Sequence, residues 1–430
     1  MARKMKDSGI EWIGEIPEDW ITIKLLFALD RPITDGPHET PSYTEEGVPF
    51  ITINNIDDDG NIDKEKANKI SKIDAINYNK KAKMKIGDLL FSKSATIGRV
   101  SEVDKLDFMV WSPFAIISTK ENLLHNKYLK FILSLPGFID YLIGLGSVNT
   151  QINIGMRDME KSIIPLPNLK KQILISSYLD KKTEQIKKLK DTVNKEIETL
   201  ENYKKSVITE AVTKGLDKNV EMKDSGIEWI GEIPKHWGVS YLKNFFDEGK
   251  NKNRFGRETN LLSLSYGKII NKDINTQTGL LPKNFNNYNI VEKDSIIIRP
   301  TDLQNDKKSL RTGLVKENGI ITSAYINLKP KKNVVSKYFH YLLHCYDLMK
   351  VFYNMGSGVR QGLTYSEFSK LLVLSPTKLE QQQIVDYLNN KTKLIDDAIA
   401  TKQKQLETLE EYKKSLIYEY VTGKKEVELG

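Results

Sequence analysis

Met5-Lys-Asp-Ser-Gly-Ile-Glu-Trp-Ile-Gly-Glu-Ile-Pro17 recurs without a change as Met222 to Pro234, and each copy is followed, after two residues, by a tryptophan, Trp20 and Trp237. A second matched pair lies further along. Leu200-Glu-Asn-Tyr-Lys-Lys-Ser-Val-Ile208 corresponds to Leu409-Glu-Glu-Tyr-Lys-Lys-Ser-Leu-Ile417, and Glu210, Val212 and Thr213 correspond to Glu419, Val421 and Thr422. Between these anchors Tyr178, Leu179 and Thr183 find partners in Tyr387, Leu388 and Thr392. Self-similarity over this distance marks two copies of one unit in tandem. The stretches inside each copy diverge. Gly87-Asp-Leu-Leu-Phe-Ser-Lys93 only echoes Lys293-Asp-Ser-Ile-Ile-Ile-Arg299, and Gly146, Ser147 and Gln151 echo Gly356, Ser357 and Gln361. A constant frame holds changed contents.

The divergent stretches read as mixed α/β. Val48 to Ile53, Asp88 to Phe91, Ala115 to Ser118 and Ile296 to Ile298 are short β-rich runs between Gly, Asn and Asp turns. Apolar spacing predicts helices over Asn126 to Tyr141 and Ser336 to Phe352, closed by Gly144 and Gly356. After Pro167 and Pro376 proline disappears and Lys, Glu, Gln and Leu dominate. Leu179, Ile186, Val193, Leu200 and Val207 recur every seven residues; Leu388, Ile395, Leu409 and Leu416 keep the same period, broken once by Lys402. Ile175, Leu189, Ile197 and Tyr203, with Ile384, Ile399, Leu406 and Tyr412, fall three or four residues away. That pattern predicts two coiled-coil helices, each of about 45 residues and roughly 65 Å. Each is the simplest partner for the other, and an antiparallel pair of equivalent helices carries a two-fold axis. Lys402 then sets register or reaches out at the edge of the seam.

The expected fold is α+β: two globular mixed α/β domains joined by two long antiparallel coiled-coil helices, pseudo-two-fold and pseudo-circular. The boundaries are 1–166 for the first globular domain, 167–215 for its helix, 216–375 for the second domain and 376–430 for the second helix.

Composition bounds the function. A length of 430 residues allows two to three domains, and 39% hydrophobic with 28% charged residues fits a folded chain. The net charge of +8 favours an anionic partner mildly. Apolar runs such as Ser295 to Ile298 are far too short for a membrane helix, the N-terminus has no signal-peptide character, and a single cysteine, Cys345, fits a reducing cytoplasm. No Pro-Pro dipeptide occurs, which excludes the Asp-Pro-Pro-Tyr clamp of amino-methyltransferases, and no Gly-Lys is followed by Ser or Thr, which excludes a phosphate-cradling loop. His38, His125, His236, His340 and His344 are scattered; His340 and His344 lack a third ligand, so no metal site is expected. Asp57-Asp-Asp59 before Gly60 reads as a hairpin turn.

The repeated Trp-Ile-Gly-Glu-Ile-Pro-x-x-Trp opening, the two variable regions and the two heptad helices with Tyr-Lys-Lys-Ser resemble the specificity (S) subunit of type I restriction–modification systems. The resemblance covers the whole chain; Ile33-Thr-Asp-Gly-Pro-His-Glu-Thr-Pro41 also looks like a turn of that family's target recognition domains, and the second half lacks it. The resemblance implies that each domain reads one half of a bipartite, asymmetric site in double-stranded DNA. It implies that the helices set the gap and dock two adenine methyltransferase (M) subunits, with motor–nuclease (R) subunits joining them. The chain would be non-catalytic, with no cofactor of its own, since S-adenosylmethionine, ATP and Mg would belong to the partners. The rival reading is a coiled-coil scaffold with two protein-binding heads.

Base reading needs donors and acceptors on loops. In the first half the candidates are Thr34, Asp35, His38, Thr40, Ser92, Lys93, Thr96, Arg99, Asn149, Thr150 and Gln151. In the second they are Asn253, Arg254, Arg257, Tyr266, Lys268, Arg299, Arg311, Arg360 and Gln361. Trp12, Trp20, Trp229 and Trp237 are expected to be packing anchors, and Tyr203, Lys204, Lys205, Tyr412, Lys413 and Lys414 a docking surface.

Overall fold

The computed structural model describes residues 3–146, 152–274, 284–301, 303, 310–355 and 362–427. The chain divides into two units: Met1–Val193 with Lys404–Gly430, and Asn194–Gln403. The repeated motif folds the same way in both. Met5–Asp7 pairs with Glu15–Pro17, and Met222–Asp224 with Glu232–Pro234, in the same antiparallel register. Its glycines are required by the turn: Gly9 and Gly14 have φ of 72° and 66°, Gly226 and Gly231 of 71° and 72°. Asp7 and Asp224 each accept the amide two residues on, at 2.9 and 3.0 Å.

The strand entering each globular part pairs with the strand leaving it: Ile21–Lys24 with Ile163–Leu166, and Gly238–Tyr241 with Leu372–Ser375. Inside, a four-stranded sheet runs in the order Thr34–Asp35, Phe114–Ile117, Leu89–Ser92, Val100–Glu102. Its counterpart runs Phe246–Glu248, Ile326–Pro330, Ile296–Ile298, Thr312–Leu314. The weak echo in the sequence therefore falls on equivalent central strands. Their side chains alternate between two cores: Leu89, Phe91, Ala115 and Ile117 enter one cluster, and Leu90, Phe114 and Ile116 the other. Ile296 and Ile298 part from Ile297 in the same way.

The second sheets share three strands and differ in the fourth. Val48–Ile51 lies parallel to Met109–Val110 and antiparallel to Lys69–Ile70; Leu261–Ser265 lies parallel to Gly319–Ile321 and antiparallel to Lys268–Lys272. Tyr43–Thr44 then extends one edge in the first copy, and Asn289–Val291 the opposite edge in the second. The helix Lys72–Ala82 has no counterpart among the described residues of the second copy.

Two predicted helices need correction. The run from Asn126 breaks into Asn126–Leu133 and Pro136–Leu145, because Pro136 has no N–H to continue a helix and starts a new one; Gly144 lies inside the second piece, which Gly146 caps. The other helix stops at Leu348, short of Phe352, and Gly356 lies outside the described residues.

The long helices span Leu169–Lys214 and Lys378–Val421. They run antiparallel within each unit. In the first, Tyr178 stacks on Tyr420 at 4.5 Å and Lys190 meets Glu410 at 2.7 Å; in the second, Glu196 meets Lys402 at 2.8 Å and Lys204 meets Asp396 at 2.6 Å. Leu179, Ile186, Val193, Val207, Leu388, Ile395 and Leu416 are buried, as are Ile175 and Ile384. Leu189, Tyr203 and Tyr412 are exposed, at 53%, 47% and 53%. The secondary stripe is thus only partly used, since two helices alone cover a narrow seam.

Candidate nucleic-acid interface

The frame is built from equivalent contacts in the two units. Trp20 and Trp237 are each 1% exposed. Gly423, just past the end of one long helix, lies against Pro17 and Trp20; Gly215, past the end of the other, lies against Pro234 and Trp237. Buried Tyr128 donates its hydroxyl to the Val421 carbonyl at 2.8 Å, and Tyr338 to the Val212 carbonyl at 3.1 Å, so each globular part caps a helix end. Trp12 packs edge-on against Phe138 at 5.1 Å, and Trp229 against Tyr346 at 6.1 Å. All four tryptophans serve the frame, Trp229 while 40% exposed.

One pair of contacts is inverted. Where the first copy has Asp19 bound to Lys171 at 2.6 Å, the second has His236 bound to Glu380 at 2.6 Å. Glu380 also accepts from the Trp237 Nε1–H at 3.0 Å and from Thr377. Partial burial alone would raise its carboxyl, but donors from Thr377, His236 and Trp237 bring it down to about 2.

In the first copy, Thr34, Asp35 and His38 line a cavity of about 730 Å³ with Asn77, Tyr78 and Lys81. Asp35 bridges His38 at 3.2 Å and Lys93 at 3.4 Å. Gly36 is required there, because a Cβ would lie 2.0 Å from the Val110 carbonyl oxygen. Thr34 is partly engaged, donating to Ala82 O at 2.6 Å. Thr40 and Thr96 are exposed, and Thr96 follows Ala95, a non-glycine residue held at φ 60°. Arg99 is tied down by Asp58 at 2.9 Å and by Ile53 O at 2.8 Å. Ser92 needs reassignment: fully buried, it donates to Thr96 O and accepts from Arg99 N, so it shapes the loop and does not reach outward. Lys93, 7% exposed, is likewise held inside by Asp35. Asn149, Thr150 and Gln151 lie outside the described residues.

In the second copy the outstanding feature is Asn253 to Glu258. Asn253 is 2% exposed; its amide donates to Glu258 O at 2.9 Å and accepts from Glu258 N at 3.2 Å. It is therefore an anchor and not a reader. The clamp makes a short loop that presents Arg254, Phe255 and Arg257 to solvent, with Phe255 81% exposed and the Arg257 guanidinium 5.3 Å from its ring. Tyr266, 74% exposed, and Lys268 stand at the Leu261–Ser265 hairpin turn. Arg299 is exposed, whereas Arg311 is 2% exposed and donates to Arg299 O and Thr301 O, which makes it a support for that strand end. Arg360 and Gln361 lie outside the described residues.

Asn77, Tyr78 and Lys81 were not legible as site residues, because nothing in the sequence links the helix Lys72–Ala82 to the Gly36-Pro37-His38 turn. The expected docking residues divide. Tyr203 and Tyr412 are exposed; Lys204 holds Asp396, and Lys413 holds Asp59 of the first globular part at 2.7 Å. The Asp57-Asp58-Asp59 turn thus latches its domain to the helix pair within that unit. Lys205 and Lys414 are exposed.

Comparison with known proteins agrees with the duplicated plan. The family model described as type I restriction modification DNA specificity domain matches residues 34–199 and 234–411. The MjaX type I restriction enzyme specificity subunit, so named, of Methanocaldococcus jannaschii is 27% identical over 428 residues, covering 96% of this chain and 95% of that protein. The MjaVIII specificity subunit of the same organism is 26% identical over 323 residues, 72% of each chain. A solved structure from work on complex assembly and conformational transition of the type I R-M system superposes with a TM-score of 0.68 at 13% identity, covering 95% of this chain and 99% of that one, which shows a shared fold. With a family model matched twice over most of its length, this chain belongs to the type I restriction–modification DNA specificity family.

Proposed function

We propose that this chain is the address-reading part of a type I restriction–modification complex, each globular domain reading one half of a bipartite, asymmetric DNA site. The observation that carries the reading is a constant frame around unlike faces: a cleft lined by Thr34, Asp35, His38 and Lys81 in the first copy, and the Arg254, Phe255, Arg257 loop in the second. Arg makes bidentate contacts to guanine, and an exposed aromatic beside it packs on bases or sugars. Two M subunits dock on what the copies share, and R subunits join them in the cytoplasm. S-adenosylmethionine, ATP and Mg are bound by those partners. The boundaries 1–166, 167–215, 216–375 and 376–430 separate readers from spacers.

The test is to co-express the chain with its methyltransferase partner and map modified adenines genome-wide. The double substitution Arg254→Ala and Arg257→Ala is expected to relax one half of the motif and leave the other intact. Equal loss at both halves, or an unchanged motif, would overturn the assignment. Binding to a DNA pool that ignores salt would favour a protein scaffold instead.

A further inference from the structure

The inverted ion pair leaves the first copy without something that the second contains. The Trp237 Nε1–H is satisfied by the carboxylate of Glu380, in the first turn of a long helix. At the equivalent position of the other long helix stands Lys171, and no acidic residue lies in that first turn. The Trp20 Nε1–H, on a side chain 1% exposed, is buried and finds no hydrogen-bond partner. Such an orphan donor costs free energy unless something accepts from it.

Next to it is a cavity of about 260 Å³ lined by Arg3, Trp20, Lys170, Lys171 and Lys425, with Leu174, Ile175 and Val427 as apolar wall. Arg3 and Lys170 stand where the repeat has Val220 and Leu379, so the positive lining is peculiar to this copy. Asp19 and Glu419 engage Arg3, Lys171 and Lys425, and Glu426 also lines the cavity; four cations still face three carboxylates. A long helix adds the partial positive charge of its N-terminus.

We propose that the cavity beside Trp20 binds a carboxylate on a short apolar chain, which takes in the first copy the place that Glu380 fills in the second. The occupant's carboxylate accepts from the Trp20 Nε1–H, and its hydrocarbon part covers Leu174, Ile175 and Val427. Lys170, Lys171 and Arg3 supply the charge. The chemistry is met equally by a free small acid or by a glutamate-like side chain of a bound protein.

The experiment uses the full chain labelled with ¹⁵N-tryptophan, titrated with acetate, butyrate or inorganic phosphate against chloride at fixed ionic strength. The Trp20 indole resonance, identified by Trp20→Phe, is expected to shift saturably while that of Trp237 stays still. Butyrate, with two more methylenes than acetate, should bind roughly 3- to 10-fold tighter. The peptide acetyl-Gly-Glu-Gly-amide separates the sources: a shift at lower concentration than butyrate points to a protein side chain, and no shift to a free acid. The double substitution Asp19→His and Lys171→Glu installs the second copy's arrangement and should abolish the response, which keeps the test decisive even if Trp20→Phe does not fold. Three results would overturn the proposal: no saturable shift, a shift that survives the double substitution, or phosphate acting as strongly as butyrate.

Discussion

Asn253 is accepted by the interior because both ends of its amide are used by Glu258. Asn253→Ala leaves the Glu258 backbone groups unpaired, at a cost of about 1–3 kcal/mol. Its effect on DNA affinity should exceed its effect on melting temperature, because the loop carries Arg254 and Arg257 but little of the core. Arg254→Ala and Arg257→Ala taken singly separate two roles. A residue that reads a base loses about 1–3 kcal/mol and relaxes one motif position; a phosphate contact weakens all sequences alike and lowers the salt slope. Competition binding with single-base variants of the site distinguishes them. The residue scale also fixes a pH dependence. Burial first, then nearby positive charge, pushes His340 and His344 down to about 4, with Lys204 and Lys205 facing His344. The folded state then refuses protons that the unfolded state takes up between the usual histidine value, near 6.5, and about 4. Stability is complete above that window and falls as pH drops through it, on the order of 1–3 kcal/mol for each residue. Replacing both with uncharged residues, His340→Leu and His344→Gln, should flatten the curve of chemical denaturation midpoint against pH. A curve that keeps its slope would place the acid sensitivity elsewhere.

At the scale of elements, the seam explains why one polar position is tolerated. Lys402 occupies a heptad position yet is 34% exposed and reaches Glu196, so its stem covers the seam while its ammonium stays at the edge. An exposed pair of this kind contributes little. Lys402→Leu should therefore stabilise the chain, by about 1 kcal/mol from the apolar area gained. Thermal unfolding that begins earlier in this variant would mean that the lysine stabilises the native register. Period and punctuation made the long helices and the central strands legible, because each depends on local spacing. The break at Pro136 was missed, because apolar spacing continues across a proline that opens a new helix. The unlike fourth strands were not legible either. Tyr43–Thr44 and Asn289–Val291 are short, and their pairing is decided by distant residues. The same limit applies to the site. Ser92, Asn253 and Arg311 have the chemistry of readers, but burial turns them into supports, and burial is a tertiary property.

For the whole molecule, the division at Val193 and Lys404 gives the spacer idea a clean test. The contacts Lys190 to Glu410 lie on one side of it, and Glu196 to Lys402 and Lys204 to Asp396 on the other. One heptad inserted after Val193 and another before Lys404 preserve every one of these contacts and keep the apolar period in phase. The helices then lengthen by about 10 Å, which corresponds to roughly three base pairs of rise. If helix length sets the unread gap, methylated sites mapped from cells carrying this variant should keep both half-motifs while the gap between them grows. Insertion into one helix alone puts the two seams out of register and should lower stability without defining a new gap. An unchanged gap with both heptads in place would mean that the spacing is dictated by the bound methyltransferase subunits and not by this chain.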